Sequence, residues 1–222
     1  AGLGIFAILL AVGWFSLTQY IAPDEFAIRQ VYLGPTKGVH EQVYGPGLQF
    51  VMPGFERLHV FPRDMQTLDL NDTELGMANE DRLLAPPIVI QTSEGFNVVV
   101  DVTVLYRIVD PYTVVTKVGA GRLYESKIVV RRSDKILRET FGELNAEDFY
   151  SDVVRMAKAE EARKLLQEDL SKWGIQVWAV LIRNYSYDER YQEAIEQRKI
   201  MDQKVYKAQA EGVAASREAE RA

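Results

Sequence analysis

The chain opens with an unbroken apolar stretch. From Ala1 to Pro23 there is no charged residue, and Leu3, Ile5, Phe6, Ile8, Leu9, Leu10, Val12, Trp14 and Phe15 carry most of its apolar surface. At about 1.5 Å rise per residue, a helix of that length reaches on the order of 34 Å, enough for a hydrocarbon core of about 30 Å. The pattern predicts a transmembrane anchor over residues 1–23, with Trp14, Phe15 and Tyr20 suited to the aromatic belt at one interface. A signal peptide with Leu3 to Phe15 as its apolar region and a buried helix of a soluble core are the competing readings. The first residue is not Met and the last lie in a charged, Ala-rich run, so both ends are expected to continue.

After the anchor the period shortens. Between Phe26 and Leu70, brief β-branched and aromatic runs are separated by Gly34-Pro35, Gly45-Pro46-Gly47, Pro53-Gly54 and Phe61-Pro62, the pattern of short strands joined by turns. Asn71 to Pro87 is polar and ends in two prolines, so it is expected to be a long loop. From Phe96 to Arg107 apolar and polar residues alternate: Phe96, Val98, Val100, Val102, Val104 and Tyr106 share one face, and Asn97, Asp101, Thr103 and Arg107 the other. This predicts a strand with one core face and one wetter face. Ser93-Glu94-Gly95 before it is a turn that would pair it with Ile88 to Thr92 as a hairpin.

The period then becomes helical. Leu123 to Phe141 reads as a helix stopped by Gly142, and Asn145-Ala-Glu-Asp148 as the cap of a second, bearing Val154, Ala162, Leu165, Leu166, Leu170 and Trp173 and closed by Gly174. Ile175 to Tyr185 is apolar in both phases of its alternation, which predicts a buried central strand. Strands, helices and a returning strand describe an α+β domain. Its first, mostly β part is placed at 24–110 and its helix-helix-strand part at 111–187.

Residues 188–222 are dense in interleaved charges and read as the start of a long, coiled-coil-like helix. In heptad register its seam is Tyr191, Ala194, Arg198, Met201, Val205, Ala208, Gly212, Ala215, Ala219 and Ala222. Small residues there let helix backbones approach closely, and so long a helix needs neighbours along its length. A free amphipathic tail is the alternative.

Charge and composition narrow the chemistry. Lys and Arg number 26 against 32 Asp and Glu, a formal charge of −6, which lacks the basic excess that binding a phosphate backbone requires, so nucleic acid is not expected as a partner. With 0 cysteines there is no thiol nucleophile and no disulfide. His40 and His59, the only histidines, lack ligand spacing, so no metal site is expected. There is neither a Gly-x-Ser-x-Gly elbow nor a P-loop. Gly119-Ala-Gly121 reads as a loop into a helix, and Glu143, Glu147, Asp148, Glu160 and Glu161 as cap or solvated residues. No catalytic residue and no cofactor emerge, and the chain is not expected to be an enzyme. Asp24 and Glu25 come first after the apolar segment, and only Arg29 and Lys37 are basic in the next stretch, which places the bulk of a single-pass protein on the non-cytoplasmic side of a bacterial-type inner membrane.

Seven runs in order complete the picture: Ile21-Ala-Pro-Asp-Glu-Phe-Ala-Ile28, Tyr44-Gly-Pro-Gly-Leu-Gln-Phe-Val-Met-Pro53, Thr92-Ser-Glu-Gly-Phe-Asn-Val-Val-Val-Asp101, Val104-Leu-Tyr-Arg-Ile-Val-Asp-Pro111, Leu137-Arg-Glu-Thr-Phe-Gly142, Gly174-Ile-Gln-Val177 and Ala210-Glu-Gly212. The series resembles the SPFH (band-7) family of stomatins, prohibitins, flotillins and the bacterial HflK and HflC proteins. Glu94 stands where the family's hairpin usually has Asp, and Met201-Asp-Gln-Lys204 where many members have Ala-Glu-Arg, which leaves the subfamily open. The resemblance implies a non-enzymatic scaffold on the lipid bilayer. Copies of the chain, or a paralogous subunit, would assemble into a ring or cage that encloses a membrane microdomain. The alternative it implies is a regulatory partner of a membrane-bound FtsH-type AAA protease.

Overall fold

The computed structural model describes residues 17–71, 82–92, 95, 97–187, 191, 193, 200, 201, 203–205 and 207. Among the described residues up to Tyr187, ten strands and three α-helices follow one another in an α+β arrangement. The strands are β1 Thr18–Ile21, β2 Glu25–Val31, β3 Gly38–Tyr44, β4 Gly47–Phe50, β5 Glu56–Pro62, β6 Gln66–Leu70, β7 Arg82–Ala85, β8 Ile88–Gln91 and β9 Asn97–Ile108. Then come α1 Pro111–Lys117, a π-helical turn Glu125–Val130 running into α2 Arg131–Phe141, a 3-10 turn Ala146–Tyr150, α3 Asp152–Ser171, and β10 Ile175–Tyr187.

Three sheets result. β1 pairs with β4, β2 lies between β3 and β5, and β9 organises the largest sheet. One edge of β9 pairs with β10 along almost its whole length; the other takes β6 against Val102–Tyr106 and then β8 against Asn97–Val100. The alternation read from the sequence holds, since Val98, Val100, Val102, Val104 and Tyr106 are all buried. At roughly 1.5 to 3 kcal/mol per buried side chain, this row fixes the strand's register. Phe96 lies outside the described residues, as do Ser93 and Glu94, but the expected hairpin is present: β8 and β9 pair antiparallel, and Gly95, at φ 87°, donates its N–H to Thr92.

The three-stranded sheet is the middle layer. Ala27, Leu58 and Val60 face a small core with Ile21 and Val51 under the β1–β4 ribbon. Ile28, Phe61 and Phe26 face the main core, where the Phe61 ring lies 6.1 Å from that of Tyr124. The main core is closed by Leu137 and Phe141 of α2 and Ala162, Leu166 and Leu170 of α3.

Several expectations are corrected. The sequence predicts an anchor over residues 1–23, but Thr18–Ile21 is a strand paired in register with Gly47–Phe50. Apolarity alone does not separate strand from helix, and Thr18, Tyr20 and Ile21 are β-branched or aromatic. Among the described residues no helix is long and apolar enough to cross a membrane; Leu3, Ile5, Phe6, Ile8, Leu9, Leu10, Val12, Trp14 and Phe15 lie outside them. The expected loop from Asn71 to Pro87 contains β7, which pairs in parallel with β6. β10 is an edge strand, not a central one. Its two register shifts, between Val177 and Ala179 and between Ile182 and Asn184, switch the alternation twice. The inward set is therefore Ile175, Val177, Val180 and Ile182, while Trp178 and Leu181 are exposed. Leu165, assigned to the apolar side of α3, is exposed. The Asn145 cap opens a separate 3-10 turn with a reciprocal Asn145–Asp148 capping box, and Ser151 is the N-cap position of α3.

The outer face of the large sheet carries a polar pin. Asp69 of β6 is 2% exposed, accepts hydrogen bonds from Thr103 Oγ1 of β9 at 2.5 Å and from Arg82 Nε of β7, and lies 3.8 Å from Arg183 of β10. One carboxylate thus ties all four strands of the path β10-β9-β6-β7.

Candidate functional site

Among the described residues the side chains singled out in the sequence are engaged in local contacts. Among the described residues no group of His, Cys, Asp and Glu is arranged to hold a metal ion. His40 Nε2 lies 2.9 Å from the Thr36 carbonyl, and His59 Nε2 lies 2.7 Å from Gln30 Oε1 on the neighbouring strand. Lys158 joins Glu143 to Glu161, and both hydrogen bonds raise its pKa. Arg163 pairs with Glu160. These carboxylates serve helix ends and helix faces. What the fold builds instead is two surfaces.

The first is an apolar rim. In the β1–β4 ribbon Tyr20 stands opposite Leu48 and Thr18 opposite Phe50, so by the period of two Tyr20, Leu48 and Phe50 share one face. Their exposures are 61%, 65% and 54%, while the alternate residue Ile21 is fully buried. β1 lies within the uncharged N-terminal stretch that ends at Pro23, and Val51 donates its N–H to the Leu17 carbonyl at 2.8 Å. The rim continues through the turn after β4, where exposed Met52 and Phe55 are bridged by Phe55 N–H to Met52 O. It then reaches Tyr32 and Leu33 at the end of β2, through Tyr32 N–H to Phe55 O. Arg29 holds the ribbon to the middle sheet: it donates to Phe50 O at 3.0 Å, pairs with Glu56 at 3.1 Å and stacks over Tyr44 at 4.7 Å. A run of exposed large apolar side chains marks an interaction surface. The sequence pointed to Tyr44–Pro53 only as a motif; the alternation of Leu48 and Phe50 was its physical signal.

The second surface lies at the end of β10. Tyr150, Tyr185, Tyr187 and Tyr191 form a connected aromatic cluster. Ring centroids are 5.4 Å apart between Tyr150 and Tyr187, 5.6 Å between Tyr185 and Tyr187, and 4.8 Å between Tyr187 and Tyr191. Arg155 lies over Tyr185 at 5.0 Å, and Tyr187 Oη donates to the Ala146 carbonyl at 2.7 Å. Burial and the surrounding tyrosines raise the Tyr187 pKa well above its ordinary value, so the phenol stays a donor. Of the expected helix seam, Tyr191 is buried against this cluster, whereas Met201 and Val205 are helical and exposed. Ala194, Ala208, Gly212, Ala215 and Ala219 lie outside the described residues.

Comparison with known proteins identifies the family. The chain belongs to the SPFH domain / band 7 family, whose model matches residues 20–220. A stomatin homologue of Pyrococcus horikoshii is 26% identical over 151 residues, covering 68% of this chain and 49% of that protein. A stomatin homologue of Pyrococcus abyssi is 26% identical over 151 residues, covering 68% and 48%. A protein of Archaeoglobus fulgidus is 26% identical over 145 residues, covering 65% and 50%. The chain spans about half the length of the curated relatives it matches.

Proposed function

We propose that the protein is a non-enzymatic membrane scaffold. The N-terminal apolar segment anchors it, the rim of Tyr20, Leu48, Phe50, Met52 and Phe55 rests on the bilayer, and copies pack side by side through their long helices into a ring or cage. The observation that carries this reading is continuity: β1, with its exposed Tyr20, lies inside the uncharged stretch that ends at Pro23, so the apolar segment and the apolar face of the β1–β4 ribbon belong to one run of chain. Family membership supports a membrane role, and the surfaces described serve adhesion and packing rather than bond chemistry.

Liposome flotation tests it. The full chain is expected to stay with lipid through an alkaline wash. Removing residues 1–16 leaves the rim as the apolar contact, and weak flotation should remain. Adding Leu48→Glu and Phe50→Glu to that truncation should abolish it, since each apolar contact contributes on the order of 1 to 2 kcal/mol. A full chain that sediments free of lipid overturns the reading. In cross-linking from native membranes, neighbouring copies of this chain or a paralogue are the expected products; adducts only to a protease favour the regulatory alternative.

A further inference from the structure

Three stretches without a charged residue meet at the apolar rim: residues 17–23, 31–36 and 45–55. Backbone bonds hold them together. β1 pairs with β4, Val51 donates its N–H to the Leu17 carbonyl, and Tyr32 donates its N–H to the Phe55 carbonyl at 2.7 Å. Charged residues make up 26% of the chain, so this convergence is not the composition of an ordinary solvated surface. The turn residues Gly45, Pro46, Pro53 and Gly54 are exposed as well and place no charge beside Leu48, Phe50, Met52 and Phe55.

The charges that border the rim give it no basic excess. Over residues 17–57 the acidic side chains are Asp24, Glu25, Glu41 and Glu56, and the basic ones are Arg29, Lys37 and Arg57. Arg29 is engaged within the fold by Glu56, the Phe50 carbonyl and the Tyr44 ring. A surface that recognises anionic lipid does so with clustered Lys and Arg, and these residues hold no such cluster. Contact with a bilayer must therefore come from apolar area withdrawn from water, which requires the headgroups to part. Parting is easiest where unsaturated chains or small headgroups leave the hydrocarbon thinly covered. Tyr20 and Tyr32, both exposed, suit the interfacial level above the inserted side chains.

We propose that the rim selects its bilayer by loose lipid packing and not by headgroup charge, with Leu48, Phe50, Met52 and Phe55 filling the gaps between headgroups. A protein surface is the competing occupant. The bilayer is favoured because β1 lies inside the uncharged stretch that runs back to Ala1, so rim and apolar segment are one run of chain. Lipid selection rests on the bilayer contact proposed for this rim, and neither depends on ring or cage assembly.

The chain has 0 cysteines, so one introduced cysteine can carry an environment-sensitive fluorophore. Leu48→Cys, at a position 65% exposed, is labelled in the full chain and reconstituted into vesicles that contain a spin-labelled quencher lipid. Mixed dioleoyl phosphatidylcholine and phosphatidylethanolamine is compared with dipalmitoyl phosphatidylcholine and cholesterol. Quenching per reconstituted chain should be roughly twofold or more greater in the loosely packed vesicles. It should stay constant when phosphatidylglycerol is added. It should also stay constant between about 0.1 M and about 1 M KCl, over which the screening length falls from about 10 Å to about 3 Å. Met52→Cys should behave alike, with Val153→Cys on α3 as the unquenched reference. Equal quenching in loose and tight vesicles, a rise with phosphatidylglycerol or a fall with salt overturns the lipid selection and leaves the bilayer contact in place. No quenching at position 48 or 52 in any vesicle, as a covering protein would produce, overturns both.

Discussion

His59 sits beneath the middle sheet, 6% exposed, with Nε2 against Gln30 Oε1. Burial, and then the Arg57 guanidinium, lower its pKa below the ordinary 6.5. The unfolded chain therefore takes up this proton at higher pH than the folded one. The stability it contributes is complete above about 6.5 and is lost as pH falls through the lower, folded value. Between about pH 7.5 and about pH 5.5 the melting temperature should drop more in the wild type than in His59→Gln; parallel slopes would assign the pH dependence to other groups. Asp69 is a buried carboxylate tied to its partners by hydrogen bonds and ion pairs. Asp69→Ala would strand Thr103 and Arg82, and because Arg82 is 36% exposed water recovers part of the loss, so a cost of about 1 to 3 kcal/mol is expected in denaturant titration. Asp69→Ala with Arg82→Met should recover some of it. Neither role was legible in the sequence: both depend on strands far apart in the chain, and a lone histidine or aspartate carries no periodic signal.

At the scale of elements, what sequence patterning captured was what one strand or helix determines by itself. The face of β9 and the Gly142 stop of α2 follow from local period and local sterics. Position within a sheet does not, which is why β10 was misjudged: its two bulges move apolar residues between phases, and a run apolar in both phases looks like a strand covered on both sides. The same bulges disturb the free edge of a 13-residue strand, and Val177 N–H is capped by Gln167 Oε1 of α3 at 2.7 Å, two devices that discourage edge-to-edge aggregation. Gly174 joins α3 to β10 and can be tested directly. Its φ is 78°, its carbonyl accepts the N–H groups of Val109 and Asp110, and a Cβ there would collide with the Asp110 carbonyl. Gly174→Ala is thus expected to cost more than about 2 kcal/mol, through backbone strain and a forced shift of the β9–α1 corner. Gly34→Ala, at φ 123° but with open space around it, carries the strain alone, about 1 to 2 kcal/mol. Equal melting shifts in the two variants would mean that the close approach at Gly174 relaxes without cost.

At the scale of the whole molecule, one chain carries both an exposed apolar rim and the helical residues Tyr191, Met201 and Val205, and assembly is the property that a single chain leaves open. Tyr191 is taken up by the domain's own tyrosines, whereas Met201 and Val205 are exposed. Beyond them the heptad positions are Ala208, Gly212, Ala215 and Ala219, and small side chains at such spacing matter only if another helix backbone lies against them. A free tail tolerates bulk there, and gains helix propensity when Gly212 is replaced. In a packed wall, Ala208→Trp or Ala215→Trp would force neighbours apart at roughly 1 to 3 kcal/mol per contact, and the penalty recurs at every subunit junction around a closed ring. Either variant is expected to keep the melting temperature and lipid flotation of the wild type, because the domain and the rim are untouched. It should lose the large particle in mild-detergent extracts and approach the 25.2 kDa monomer. Unchanged particle size in both variants would leave residues 188–222 as an amphipathic tail and move any self-association onto the exposed faces of α3 and β10, where Val153, Met156 and Leu181 are uncovered.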